Sequence, residues 1–483
     1  MSIETSNPAT TAATGRVRTI ALLVILLASF MDLLDVTIVN ITVPALRAEL
    51  GASPAQVQWL LAGYTLAFAL GIITGARLGD LYGYRRVFLI GIAGFTAASA
   101  LCGAAPTADV LVAARVVQGL FAAAMVPQVL SQIQLMYAPG ERGGAMAAFS
   151  SLSGLAAAAG PILGAALLEV DWYGLGWRSV FWLNVPVGIV TLLIALRVLP
   201  RGHGVTRPRL DLTGLLICGA GLVLILYPLI AGSEERPWPV WTYACLVAGV
   251  AVLAGFVRHQ RRLSERGGAP LVEVSLFRMR SVGGGLLVQF LFFVPVMGFF
   301  FTFMQLLQSG LGMAPLDAGV TILPWPIATT VAAGLGAAVL LPRLGRATVQ
   351  VGLVVLAAGF ALLALAANAA TPGTGWLAFL PGVVVGGAGM GLTVAPLAQL
   401  TLENVPIRHA GSGSGLFNTV AQVAASVGVA VTGTVFFPLL TAHAGEPAHG
   451  YGTAFSVIVW GGIALLALTL AVSFLLPRKP SAP

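Results

Sequence analysis

The chain of 483 residues has little charge: Asp, Glu, Lys and Arg make up 9% of it, where water-soluble domains carry about 25%. That is too little to coat the two or three soluble domains such a length would otherwise suggest. Intrinsic disorder is excluded too, because it goes with low hydrophobicity. The three cysteines (Cys102, Cys218, Cys245) are widely spaced within apolar runs, which gives neither a disulfide framework nor a metal pattern. The five histidines (His203, His259, His409, His443, His449) have no ligand spacing, so no metal and no cofactor is expected. No nucleophile–base pair stands out, so an enzyme is not expected either. Alternating segments of about ten residues, the mark of a membrane barrel, are missing.

Apolar residues are what the chain has in abundance, at 58%. A spanning helix needs about 20 mostly apolar residues, and fourteen such runs can be read, the first near 19–46 and the last near 453–476. The first is too long for a cleavable leader and lacks a small-residue cleavage site, so it is expected to be retained. The fold expected is an all-α polytopic membrane protein. The net charge of +8 resides in short loops, as membrane topology requires, and nucleic acid is not an expected partner. With both termini placed in the cytoplasm, every Arg and the lone Lys fall on that side except Arg47, Arg115, Arg178 and Arg236. A miscount of spans would scramble this asymmetry.

The longest aqueous segments flank runs seven and eight. Removing that pair leaves six helices on each side: 1–199 as an N-terminal six-helix bundle, 200–278 as a linker with two extra helices, and 279–483 as a C-terminal bundle. This matches the parallel-repeat plan of many transporters.

Charges inside spanning helices are functional candidates by default. Asp32 and Asp35 lie one turn apart on one face of the first helix. Arg115, in the fourth, lies about 10 Å below the outer surface and Asp35 about 15 Å below it, at about 1.5 Å rise per residue. An Arg side chain covers that difference. The pair can serve proton handling or simply hold two helices together. A second cluster, Gly75 to Arg86, contains Asp80, Gly83, Arg85 and Arg86; its charges could bind helix ends and latch one face, or merely enforce topology. In the fifth helix Gly160, Pro161 and Gly164 favour close packing and a bend. Asn40, Gln118, Gln128 and Gln305 are polar candidates for substrate contact. Phe299 belongs to a group of seven Phe between Phe290 and Phe303, a candidate aromatic pocket, although most of these rings are expected to face lipid.

With these motifs in place, the chain resembles the major facilitator superfamily, specifically its fourteen-helix drug:proton antiporter branch. Leu34 to Pro44 is similar to that branch's first-helix motif, and 75–86 to the signature loop between helices 2 and 3. Arg115-Val-Val-Gln118-Gly119 and Gly160-Pro161-x-x-Gly164 are similar to the helix 4 and helix 5 motifs. Weaker matches run from Trp177 to Pro186 and through the C-terminal half, including Ala318-Gly319. The chain departs from the pattern at Ala76, Tyr84, Phe121 and Ala165.

The resemblance implies alternating access between two six-helix halves, with Arg115 associated with proton transfer. It implies proton-coupled efflux of small amphiphilic compounds, as in multidrug efflux and antibiotic resistance, and the bias of 24 Arg to 1 Lys points to a bacterial genome and so to the cell membrane. The expected partners are a small-molecule substrate, protons and the lipid bilayer, and one chain, a monomer, suffices. Export of a self-made natural product or lipid, solute symport, and a non-transporting membrane sensor are the alternatives. C-terminal helices carry no acidic residue at mid-depth, so neutral, monocationic or zwitterionic substrates are expected rather than dications.

Overall fold

The computed structural model describes residues 15–138, 141–203, 210–232, 238–405, 410–442 and 447–478. Arg207, Arg209, Arg236, Arg408 and Lys479, used above for topology, lie outside the described residues, as do His409 and His443. Among the described residues there is no strand; the chain forms long helices. In chain order they are α1 (Gly15–Leu50), α2 (Pro54–Tyr82), α3 (Tyr84–Gly103), α4 (Ala108–Met136), α5 (Arg142–Val170), α6 (Arg178–Val198), α7 (Leu212–Ala231) and α8 (Val240–Glu265). Then follow α9 (Arg280–Gly310), α10 (Pro315–Leu344), α11 (Ala347–Ala369), α12 (Leu380–Leu402), α13 (Ala410–Ala442) and α14 (Pro447–Val472). Among the described residues, thirteen helices are long and apolar enough to cross a membrane; in α5 the apolar stretch is Gly154–Val170.

The helix starts follow capping chemistry. Ser53 and Gln56 form a reciprocal capping box at α2, with Gln56 N–H donating to Ser53 Oγ (3.3 Å) and Ser53 N–H to Gln56 Oε1 (2.9 Å). Thr107 caps α4 and Asp211 caps α7. Helix α8 continues eight residues beyond its apolar run, into Arg258–Glu265, because a helix emerging into water no longer needs apolar side chains. Its basic last turn also suits the negative end of the helix dipole. The tenth span is interrupted at Leu323, whose own backbone stays helical (φ −53°, ψ −39°), because Pro324 and Pro326 have no N–H to donate to the preceding turn, and a π-turn follows at Gly336–Leu340.

Helices α1–α6 pack on one another, as do α9–α14, while α7 and α8 pair with each other. Between the two groups, α2 packs on α13, α5 on α10 and α1 on α9. Helix α7 touches both sides, lying against α2 and α13. One apolar cluster spans the seam at the end remote from the N-terminus: Leu46, Val57, Leu60 and Trp177 with Phe301, Phe436, Phe437 and, from α7, Leu226. Polar contacts join the groups at the same end. Gln308 Nε2 donates to the Ile41 carbonyl (3.2 Å) and Leu316 N–H to Glu169 Oε1 (3.3 Å). The other apolar clusters each stay within one group. The seam is therefore sealed at the remote end.

At the arginine-rich end, basic side chains are bound to helix termini. Arg85 donates to the Leu196 carbonyl in the last turn of α6, and Arg346 to the Phe474 carbonyl after α14 (3.1 Å). Asp211 ties the inserted pair to the following loop, accepting from Gly214 N–H (2.7 Å), Gln260 Nε2 (2.6 Å) and Leu271 N–H (3.4 Å), with His259 Nε2 at 3.1 Å. Burial pushes its carboxyl pKa up, but the hydrogen bonds from Gln260, Gly214 and His259 outweigh this and hold it below the usual carboxylate value.

Candidate functional site: a buried carboxylate network

Asp35 is fully buried in α1, and Arg115 in α4 is 1% exposed. The guanidinium of Arg115 donates to Asp35 Oδ2. The other carboxylate oxygen, Oδ1, accepts from Gln118 Nε2 (3.0 Å) and Asn184 Nδ2 (2.8 Å). Arg115 also donates to Gln118 Oε1 (2.8 Å), and Asn184 to Ser99 Oγ (3.1 Å), which in turn donates to the Phe181 carbonyl (3.0 Å). Four helices thus supply the network: α1, α3, α4 and α6. A fifth closes it, because the Arg115 guanidinium carbon stands 4.2 Å from the centre of the Tyr64 ring in α2, a cation–π contact. The Tyr64 hydroxyl donates to Asp32 Oδ1, so Tyr64 links the two carboxylate sites.

Helix α5 holds α1 in place. A Cβ at Gly164 would stand 2.6 Å from Ile38 Cγ1 and 2.7 Å from Ile41 Cγ2, and one at Gly160 would strike Thr37. These two glycines let α1 and α5 touch one turn beyond Asp35. On its other side α5 meets α10, where a Cβ at Gly319 would lie 2.9 Å from the Pro161 carbonyl oxygen. The Gly160-Pro161-x-x-Gly164 segment therefore lies at the seam. Gly164→Leu is expected to push α1 away and displace Asp35, since overpacking costs about 1–3 kcal/mol. A lower melting temperature together with lost substrate flux checks this; full flux would refute it.

Among the gate candidates, Gly83 sits between α2 and α3 at φ 97°, a conformation that favours glycine. Asp80 accepts from the Tyr84 hydroxyl (2.9 Å), so the residue that departs from the family pattern still engages this carboxylate. Arg85 binds the end of α6, while Arg86 is exposed. The large Phe121 is accommodated because its ring takes the place a Cβ would need at Gly94.

The structure places the substrate-contact candidates in differing surroundings. Gln118 is spent on Asp35 and Arg115. Gln128 is fully buried, donating to the Gly75 carbonyl (2.8 Å) where α2 meets α4. Phe299 is fully buried among Trp325 (4.6 Å between ring centres), Phe303 (5.1 Å) and Phe360 (5.2 Å). Gln305 is 1% exposed. Only Asn40 of the five is half-buried, with its amide on the Val36 carbonyl (3.3 Å). The α9 rings do not chiefly face lipid either: Phe292, Phe299, Phe301 and Phe303 are buried, because the C-terminal helices interdigitate around them. Asn184, Ser99 and Tyr64 are missing from the candidates read in the sequence, although Asn184 is an amide within the apolar stretch of α6 and falls in the weaker match from Trp177 to Pro186.

The family model described as Major Facilitator Superfamily matches residues 25–429. The chain belongs to this superfamily. Relatives within the superfamily include the probable actinorhodin transporter of Streptomyces coelicolor, 44% identical over 88% of this chain and 73% of that protein. The puromycin resistance protein of Streptomyces alboniger is 36% identical over 93% and 90%. The cephamycin export protein of Amycolatopsis lactamdurans is 34% identical over 94% and 91%. Among solved structures, an auto-inhibited peptide transporter of the POT family superposes with a TM-score of 0.68 at 15% identity, covering 95% of each chain; this likeness concerns the superfamily fold alone. Membership in the superfamily makes the chain a transporter, and its apolar helices and bacterial relatives make it a multi-pass plasma membrane protein.

Proposed function

We propose that the protein exports small amphiphilic compounds in exchange for protons by alternating access. The observation that carries this reading is the Asp35 carboxylate, buried inside the first six helices and held by Arg115, Gln118 and Asn184. A proton arriving at Asp35 competes with Arg115 for the same oxygen. Protonation therefore loosens α1 from α4, and deprotonation restores the pair. Asp32, one turn away and bonded to Tyr64, is the second carboxylate of the relay.

The arginine-rich end is read as cytoplasmic, after the positive-inside rule, which puts both termini in the cytoplasm. The sealed remote end then makes this conformation inward-facing. The six helices of 1–199 and those of 279–483 rock as two bodies, with 200–278 inserted between them. Asp80, Gly83, Arg85 and Arg86 form the cytoplasmic gate, and Gly160, Pro161 and Gly164 form the antiporter hinge between α1 and α10. Asn40 contacts substrate. A single chain does the work, without enzymatic chemistry.

One charge crossing 100 mV is worth about 2.3 kcal/mol, enough for roughly a 50-fold substrate gradient. A self-made natural product is the second reading of the substrate, favoured by the 44% identity to the probable actinorhodin transporter. The test is flux into proteoliposomes with an acidic lumen, using puromycin and a monocationic dye. Accumulation that collapses when a protonophore is added is expected. Accumulation into an alkaline lumen instead would mean symport and overturn the proposal.

A further inference from the structure

At the arginine-rich end, where the α2–α3 turn meets the segment after α6, lies a cavity of about 490 Å³. It is lined by Arg85, Arg86, Arg201 and His203, with Tyr82 and Leu89. Among the described residues no carboxylate lines it. The nearby Asp80 accepts from Tyr84.

Its basic groups are prepared for an anion. Arg85 is anchored through one nitrogen on the Leu196 carbonyl, and its Nε is buried without a hydrogen-bond partner. Arg86 and Arg201 are exposed. The segment carrying Arg201 and His203 is fixed to the start of α3, since Tyr84 N–H donates to the Gly202 carbonyl (2.9 Å). The first turn of α3, the positive end of a 20-residue helix, points the same way.

The apolar side of the cavity decides between a soluble and a lipid anion. Leu89 lines it one turn further along α3, and the adjacent Ile90 is 61% exposed on the helix surface. Tyr82, also 61% exposed, is of the type that settles at membrane interfaces. Basic groups beside an outward-facing apolar helix surface suit a molecule with a phosphate head and acyl tails.

We propose that this cavity binds the phosphate headgroup of an anionic phospholipid from the leaflet on the arginine-rich side. The guanidinium groups of Arg85, Arg86 and Arg201 would meet the phosphodiester oxygens, and the acyl chains would run along α3. Such a lipid would fasten the 200–203 segment, where the chain leaves the first six helices for the inserted pair, against α3. This does not depend on what the protein carries.

The test is native mass spectrometry of the full-length protein in detergent, titrated with phosphatidylglycerol, phosphatidylcholine or inorganic phosphate. Wild type is expected to retain phosphatidylglycerol in preference to phosphatidylcholine. Arg201→Gln is expected to bind it about fivefold more weakly, the equivalent of about 1 kcal/mol per basic side chain near a charged membrane surface. Arg201→Gln with His203→Gln should lose more. Arg343→Gln, a basic change elsewhere on the same end, should bind as wild type does. Equal retention by wild type and the double variant overturns the site. Displacement of phosphatidylglycerol by millimolar inorganic phosphate, without preference among lipids, overturns the lipid assignment in favour of a soluble anion.

Discussion

Asp35→Asn is expected to abolish proton-driven accumulation while leaving passive substrate exchange in place. The amide keeps the shape of the carboxyl and can still accept from Gln118 or Asn184, but it has no proton to take up or release. It also leaves the buried Arg115 without its counter-charge, so the variant is expected to melt lower than wild type. Under a driving force of 100 mV, accumulation should fall from about 50-fold to none. Two assays on the same proteoliposomes separate the steps: uptake against a gradient under an imposed pH difference, and counterflow with no pH difference. Loss of both would point to a binding or folding defect. Retention of both would remove Asp35 from the coupling mechanism.

The second large effect concerns stability. Asp35 and Arg115 are 0% and 1% exposed as side chains. Removing one partner of such a pair leaves an uncompensated buried charge, which costs about 3–5 kcal/mol, whereas replacing both is often neutral. Arg115→Leu should therefore lower the melting temperature sharply. Adding Asp35→Asn to it should restore much of the loss, because Asn184 and Gln118 can satisfy an amide. Transport should stay absent in the double variant, which separates the structural from the coupling role of the pair. If the double variant melts no higher than Arg115→Leu alone, the ion pair is not what the single change disrupts. Thermal unfolding in detergent, followed by tryptophan fluorescence, reads the difference.

The helices and the ion pair were legible in the sequence for the same reason. A bilayer demands long apolar runs, and any charge inside one stands out against them. Asp35 and Arg115 could be matched by depth alone, using the rise of a helix. What depth cannot give is the direction in which a side chain points. Asn184, Ser99 and Tyr64 come from three other helices, and nothing in their spacing links them to position 35. Gln118 and Gln128 looked equally available for substrate, yet packing directs one to the carboxylate and the other to a backbone carbonyl of α2. The rings of α9 were misread because acyl chains and a helical core are equally apolar. Hydropathy cannot tell which of them a Phe faces, and only packing against α10, α11 and α14 decides it. Hydropathy also does not tell where a helix runs past the bilayer, as at the basic end of α8, or where prolines interrupt it, as at Leu323.

The sequence separation within the network bears on how the protein is made. Asp35 and Arg115 are 80 residues apart, so a ribosome adding about 5–20 residues per second takes several seconds to travel from one to the other. Asn184 follows later still. An Asp at the centre of a spanning helix opposes membrane insertion by about 2.5–3.5 kcal/mol, and α1 has two. Throughout that interval the first helix lacks its counter-ion. Its surrounding Leu, Ile and Val must carry both carboxylates into the translocon, and α1 settles into its final place only once α4 and α6 have been synthesised.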